Sequence, residues 1–253
     1  MFGIVDSGQK NLGNGLKMHL DAGQLMSYSG SGTVWYDLSG NGYTGSLLNG
    51  PTFNSTANGG GFFFDGTNDR WEGRGFRPGT SSFTVECVFK FVSNTISLDT
   101  LCSSGGYWDG GSQAVGYGFA SDNNNNMFWH LISTSTYGYT VDLITPQVNN
   151  TFYHVAGTRA FRSNAEYTVG YLNGVAKGST TGSAGINLNL NNNFFQANSI
   201  FDARNPNGII GTFCWGYSGA PTGSLYLVRI YDRELSPSEV KSNYEAYKSR
   251  FGL

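Results

Sequence analysis

The end of the chain constrains its fold more than any other stretch. Residues 223–231, Gly-Ser-Leu-Tyr-Leu-Val-Arg-Ile-Tyr, read as a strand, because β-branched and aromatic side chains suit a pleated surface and glycine marks the start. Asp232 and Arg233 then lead into a helix-start signal. Ser236 can cap the helix, Pro237 suits the first helical position and Glu239 completes a capping box, with Leu235 and Val240 placed as a hydrophobic staple. In the helix expected over about residues 237–250, Val240, Tyr244, Tyr247 and Phe251 recur at spacings of four, three and four. This narrow apolar stripe must lie against another element, and a sheet is the obvious partner.

The composition agrees with a chain built of strands. Only 13% of the residues are charged and 15% are aromatic, and 37 glycines among 253 residues suit many strands joined by tight turns. That length can bury a sizeable core, and the reading is one domain over residues 1–253 with a short lead-in at 1–15. A formal net charge of −2 without a Lys/Arg run excludes a sequence-independent nucleic-acid surface, which needs concentrated positive charge. Met1 to Lys10 lacks a basic segment followed by an apolar core, and no segment approaches the ~18 apolar residues of a membrane span. The expectation is therefore no secretion leader, no membrane and no nucleic acid. Cys87, Cys102 and Cys214 are an odd set without a Cys-x-x-Cys pair, which reads as reduced structural thiols rather than a disulfide framework or a zinc site.

Along the chain, Leu16 to Ala22 alternates and places His19 opposite Met18 and Leu20. Residues 37–42, from Asp37 to Gly42, have two readings: a calcium loop of packed oxygens, or a structural turn in which Asn and Asp bond their own backbone. The turn is preferred, since the loop lacks the spacing and final bidentate glutamate of an EF-hand. Gly61 to Phe64 is a continuous apolar strand. In Ser82 to Val92, Phe83, Val85, Cys87, Phe89 and Phe91 share an inner face. Thr84, Glu86, Val88 and Lys90 are expected on a partly wet one. Strand-like runs follow at Val115–Ala120, Met127–Ile132, Tyr137–Thr140, Phe152–Arg159 and Ile186–Leu190, with Asn123–Asn126 as a loop tip. Asn173-Gly174 is a type I′ hairpin turn within Tyr167–Gly178. About a dozen strands in two packed sheets would account for the turns.

The closing segment GSLYLVRIYDRELSPSEVKSNYEAYKSRF resembles that of laminin-G-like, concanavalin A-like jelly-roll domains, especially those of bacteriophage and environmental viral proteins. "FTVECVFKF", "FYHVAGTR", the Asn173-Gly174 hairpin and the opening "LDA…WYDLSGNG…GSLLNGPTF…FFFDGTNDR" extend the resemblance along the chain. It implies an all-β, two-sheet antiparallel jelly-roll sandwich with one short C-terminal helix. Where the family commonly carries an acidic residue before the Val-Arg pair, this chain has Leu225, Tyr226 and Leu227, so no inherited calcium site or other cofactor is implied.

The resemblance also brings in glucanases, whose paired carboxylates come from a Glu-x-Asp-x-x-Glu or Glu-x-Asp-x-Glu strand. Neither pattern occurs, and no nucleophile elbow, His-Glu-x-x-His or Walker loop is present. The three histidines stand apart at 19, 130 and 154. The expectation is a non-enzyme without a catalytic residue. Aromatic side chains in or beside irregular segments can stack on sugars, or they can be buried between sheets. Trp108, Trp129 and Tyr137 are the candidate carbohydrate-binding residues, in loops and without a divalent ion. What the resemblance implies is a virion structural protein on a bacteriophage particle's exterior, made in the host cytoplasm and decorating the capsid or associated with tail or fibre. It would join other virion proteins in a homo-oligomer or symmetric assembly and contact a host surface glycan. The alternative is a soluble lectin module, with a glycoside hydrolase third.

Overall fold

The computed structural model describes residues 13–56, 58–74, 76–93, 99–105, 116–122, 124–133, 136–163, 165–183, 194–199 and 222–253. In chain order the strands are β1 (Leu16–Asp21), β2 (Val34–Trp35), β3 (Gly45–Leu48), β4 (Thr52–Asn54), β5 (Gly61–Phe64), β6 (Arg70–Arg74), β7 (Phe83–Ser93) and β8 (Asp99–Gly105). They continue with β9 (Gly116–Ser121), β10 (Met127–Ser133), β11 (Thr136–Ile144), β12 (Thr151–Arg162), β13 (Ala165–Leu172), β14 (Val175–Ser183), β15 (Phe194–Ser199) and β16 (Thr222–Tyr231). One helix, α1 (Pro237–Phe251), follows. No described helix is long and apolar enough to cross a membrane.

These sixteen strands exceed the expected dozen because β2, β3 and β4 have only two to four residues, too few to display an alternation. They form two eight-stranded sheets. The first runs β14-β13-β12-β7-β16-β5-β4, with β1 also on β16, and the second runs β11-β10-β9-β8-β15-β6-β3-β2. β16 pairs along one edge with β7, while its other edge is shared by β5 at residues 223–225 and β1 at residues 227–231. The register slips between Leu225 and Leu227, so Tyr226 and Leu227 both pack with Tyr247 and Phe251 of α1, whereas Leu225 and Val228 enter the inter-sheet core.

The core between the sheets takes Phe83, Val85, Cys87, Phe89 and Phe91 from β7, as the alternation predicts, and Tyr117, Phe119, Trp129 and Leu131 from the facing sheet. Trp35, Trp71 and Trp129 are each fully buried in it. The expected wet face of β7 is a correction. Thr84, Glu86 and Val88 are each 0% exposed, because α1 lies across them.

That helix carries the complete predicted cap. The Ser236 side chain accepts from the Glu239 backbone N–H, the Glu239 side chain accepts in return, and Gly252 ends the helix at φ 67. Leu235 and Val240 share one buried cluster, which is the staple. A fifteen-residue helix is marginal alone in water, and burying each large apolar side chain contributes about 1.5–3 kcal/mol, so docking rather than propensity holds it. The Asn173-Gly174 turn, at φ 49 and 75, lies under the same helix. A Cβ on Gly174 would come 2.9 Å from the Tyr244 ring, so glycine serves both the turn and the contact.

The 37–42 segment is the structural turn. Asp37 Oδ1 accepts from the His19 and Ser39 amides at 2.9 Å each, and Oδ2 accepts from the Tyr43 amide at 3.0 Å and the Ser39 hydroxyl at 2.7 Å. Four donors saturate the carboxylate.

Candidate functional site

Two of the aromatic candidates, Trp129 and Tyr137, lie in strands rather than in loops. Trp129 lies in β10, is 0% exposed and donates its indole N–H to the Thr168 hydroxyl at 2.6 Å, between Phe83 and Phe119. A ring locked in the core offers no face to a sugar, which corrects its assignment. Tyr137 lies in β11, a strand paired with β10. Trp108, Cys214 and Ile186–Leu190 lie outside the described residues.

Trp129 nevertheless marks the second sheet's two faces. Because strand neighbours point to opposite sides, the core positions Trp71 and Trp129 put Glu72 and His130 on the outside, and Gly118 shares that side between Tyr117 and Phe119. The registers join these positions into one line across all eight strands: Val34, Ser46, Glu72, Gln196, Ser103, Gly118, His130 and Thr140. A second line beside it runs Thr100, Ala120, Phe128 and Asp142. Ser46, Thr140 and Asp142 are exposed, Glu72 and Phe128 half-buried, and Gly118, Ala120 and His130 buried. Neighbouring strands lie about 4.7–4.9 Å apart, so the line presents polar positions at intervals on the scale of a sugar ring.

The chemistry of this face is hydrogen bonding. Burial lowers the His130 pKa to about 4, so at neutral pH its uncharged ring keeps one donor and one acceptor. The Phe128 ring lies 5.7 Å from it between centroids. Glu72 is tied to Arg70 at 3.3 Å, which fixes its carboxylate. The signal that could have located the face was there, in the dipeptides Trp71-Glu72 and Trp129-His130, but pairing order is needed to join them.

The outer face of the first sheet has richer ionisable chemistry and keeps it sealed. Here the register aligns His19, Arg229, Glu86 and Ala156 beneath α1, each 7% exposed or less. Asn243 donates to Glu86 Oε2 at 2.9 Å and to the Tyr231 hydroxyl at 3.1 Å, and His154 Nε2 stands 3.6 Å from Glu86 Oε1. Arg229 bonds the Tyr247 hydroxyl, with its guanidinium carbon 4.5 Å from that ring's centroid. Burial, followed by the positive charges of Arg229 and Arg250, pushes the His19 pKa down to about 2. Asp21 is gripped by both terminal nitrogens of Arg250 at 2.8 Å. Elsewhere Glu166 is held by the buried Arg159, which also donates to Gly79 O at 2.8 Å. These carboxylates are spent on structure. Sequence reasoning missed Asn243 and Arg229, since a polar residue beside an apolar stripe looks like its solvent edge. Among the described residues no group of three or more His, Cys, Asp or Glu side chains could hold a metal ion.

The family model described as "Concanavalin A-like lectin/glucanases superfamily" matches residues 65–241. No curated protein matches the chain. Among solved structures, the chain is similar to a Trypanosoma rangeli sialidase bound to a difluoro-KDN sugar, at 18% identity and a TM-score of 0.62, covering 93% of this chain and 33% of that one. It is also similar to the botulinum neurotoxin serotype D binding domain, at 14% identity and a TM-score of 0.62, covering 94% of this chain and 52% of that one. The receptor binding domain of botulinum neurotoxin type G shares 15% identity at a TM-score of 0.60, covering 92% and 51%. The chain thus spans about a third of the sialidase and half of each toxin fragment, and at these identities the likeness is one of fold. A fold of this kind fits a carbohydrate-binding module.

Proposed function

We propose, from the premise that the chain belongs to the concanavalin A-like lectin/glucanase superfamily, that it is a non-catalytic binding module whose outer β11–β2 sheet face receives a glycan. The observation that carries this reading is the register line from Ser46 through Glu72 and His130 to Thr140, which sets polar residues in a row and exposes those at positions 46 and 140. Hydroxyl-rich ligands bind through many modest hydrogen bonds, which such a line supplies without any single strong group. The reading without catalysis draws on Glu86, Glu166 and Asp21, each held by a structural partner and each almost fully buried.

The setting belongs to the same proposal. The segment from Gly223 to Phe251 resembles virion proteins, and we place the chain on the exterior of a bacteriophage particle, as capsid decoration or in a tail or fibre. There it attaches to other virion proteins, and repetition in a symmetric assembly multiplies a modest contact. At 13% charged residues, such contacts would be part apolar and part hydrogen-bonded and would resist salt.

A glycan array with the full chain and with Glu72→Gln, Phe128→Ala and Asp142→Asn tests the site. Binding that survives a chelator and drops at least tenfold in these variants is expected. Washing particles in rising salt tests the setting, with retention expected. Sugar release abolished by one Asp or Glu substitution would overturn the reading without catalysis.

A further inference from the structure

The sulfur atoms of Cys87 and Cys102 lie 3.0 Å apart, although the two residues belong to different sheets. Cys87 is on the inner face of β7, at the centre of the first sheet, and Cys102 is on β8 of the second. Both are free thiols and both are 0% exposed. The irregularity that brings them together is local: the register of β8 slips between Thr100 and Cys102, and past the slip Cys102 pairs with the core residue Phe119. An extra residue in one strand re-aims the side chain that follows it.

From this geometry we infer that Cys87 and Cys102 are a cross-linking site, joining the two sheets by a disulfide when the chain folds in the presence of a low-molecular-weight disulfide such as oxidised glutathione. Sulfurs already in contact need to approach by about 1 Å to reach the bonded separation of about 2.05 Å. In the exchange, one cysteine thiolate attacks the glutathione disulfide and forms a mixed disulfide, releasing one glutathione thiolate. The other cysteine thiolate then attacks the protein-bound sulfur, which closes the protein bond and releases the second glutathione. Two protons pass from the cysteines to the two glutathiones, and the two electrons of the protein thiols reduce one glutathione disulfide.

Timing follows from burial. Desolvation, then the neighbouring Cys102, raises the Cys87 pKa well above its usual value, so the closed sandwich holds almost no thiolate and admits no glutathione. Exchange therefore belongs to folding or to an opened state, and the sealed core then protects the bond. The inference is independent of the glycan reading, since neither sulfur reaches the outer face.

The test is to refold the full chain, with and without Cys214→Ala, in oxidised or reduced glutathione. Blocking free thiols in denaturant and measuring intact mass and joined peptides then reads the pairing. Expected from the oxidised buffer are a mass lower than from the reduced one by two added blocking groups and about 2 Da, and a joined Cys87–Cys102 peptide. A rise of roughly 5–10 °C in the thermal midpoint, absent from Cys87→Ala and Cys102→Ala, should accompany them. Thiols at 87 and 102 that remain blockable after oxidised refolding, or a bond that joins Cys214 instead, would overturn the inference.

Discussion

Each sheet turns one face to the shared core and one outward, and the two outward faces differ in what they carry. On the first sheet, β1, β16, β7 and β12 set His19, Arg229, Glu86 and His154 under α1. On the second, β6, β9 and β10 set Glu72, Gly118 and His130 in a line on which Ser46 and Thr140 are exposed. The lesson is that ionisable residues do not by themselves mark a site. A face dense in charge can be the glue for a helix, while a plainer one is where we propose a ligand binds.

The comparison breaks most readily at the two glutamates. Glu86→Ala removes the acceptor of Asn243 and leaves Arg229 buried beside it, so a loss of about 3–5 kcal/mol is expected in urea unfolding. Glu72→Ala on the other face should cost under about 1 kcal/mol, as a partly exposed ion pair does. Equal losses would erase the distinction. Next in size, Tyr247→Ala deletes a ring packed on Phe251 and bonded to Arg229, and is expected to cost about 3 kcal/mol, with Lys248→Ala near zero.

Acid sharpens the comparison, because burial disfavours the charged form of one histidine on each face, His19 on the first sheet and His130 on the second. The unfolded chain protonates such a residue first and so binds more protons, which makes stability fall as pH drops. For His130 the window runs from pH 6.5 to about 4, and for His19 from 6.5 to about 2, each at up to about 1.4 kcal/mol per pH unit. His19→Gln and His130→Gln should each flatten the slope between pH 6 and 4 in a denaturation series. If only His19→Gln does so, His130 is hydrated in solution and the second face is wetter than its structure. The smallest effect is expected at the helix entrance, where Ser236→Ala should cost about 1 kcal/mol by thermal melting, leaving glycan binding unchanged.

What could be read from the sequence was local. Ser236 to Glu239, the Asn173-Gly174 turn and the inner face of β7 each carry their physics within a few residues, and all appear as expected. The concealed face of β7 could not be read that way, since Glu86 meets Asn243 from 157 residues away. Period-two alternation separates two faces without saying which will be covered. Trp129 failed for a related reason. In Met-Phe-Trp-His-Leu-Ile every side chain is apolar or aromatic, so the alternation that would have sent Trp129 inward and His130 outward is hidden. The polar line across the second sheet depends on eight strands pairing out of chain order, which no window of sequence contains.

The position of β16 has a consequence for how the chain is made. It is the last strand, yet it lies between β7 and β5 and gives β1 its edge, while Arg250 of α1 reaches back to Asp21 and to the carbonyl of Asn58. As the chain leaves the ribosome, the first sheet has a gap at its centre, and β1 and β5 have no neighbour on that side. Their closure waits for residues 222–231, so this sheet should complete only once β16 has emerged, by long-range pairings that fold slowly. Until then the exposed edges of β5 and β7 are open to pairing with another chain. A nascent chain stalled before residue 222 should therefore be sensitive to protease throughout the first sheet, and one lengthened until β16 and α1 have left the ribosome should be resistant.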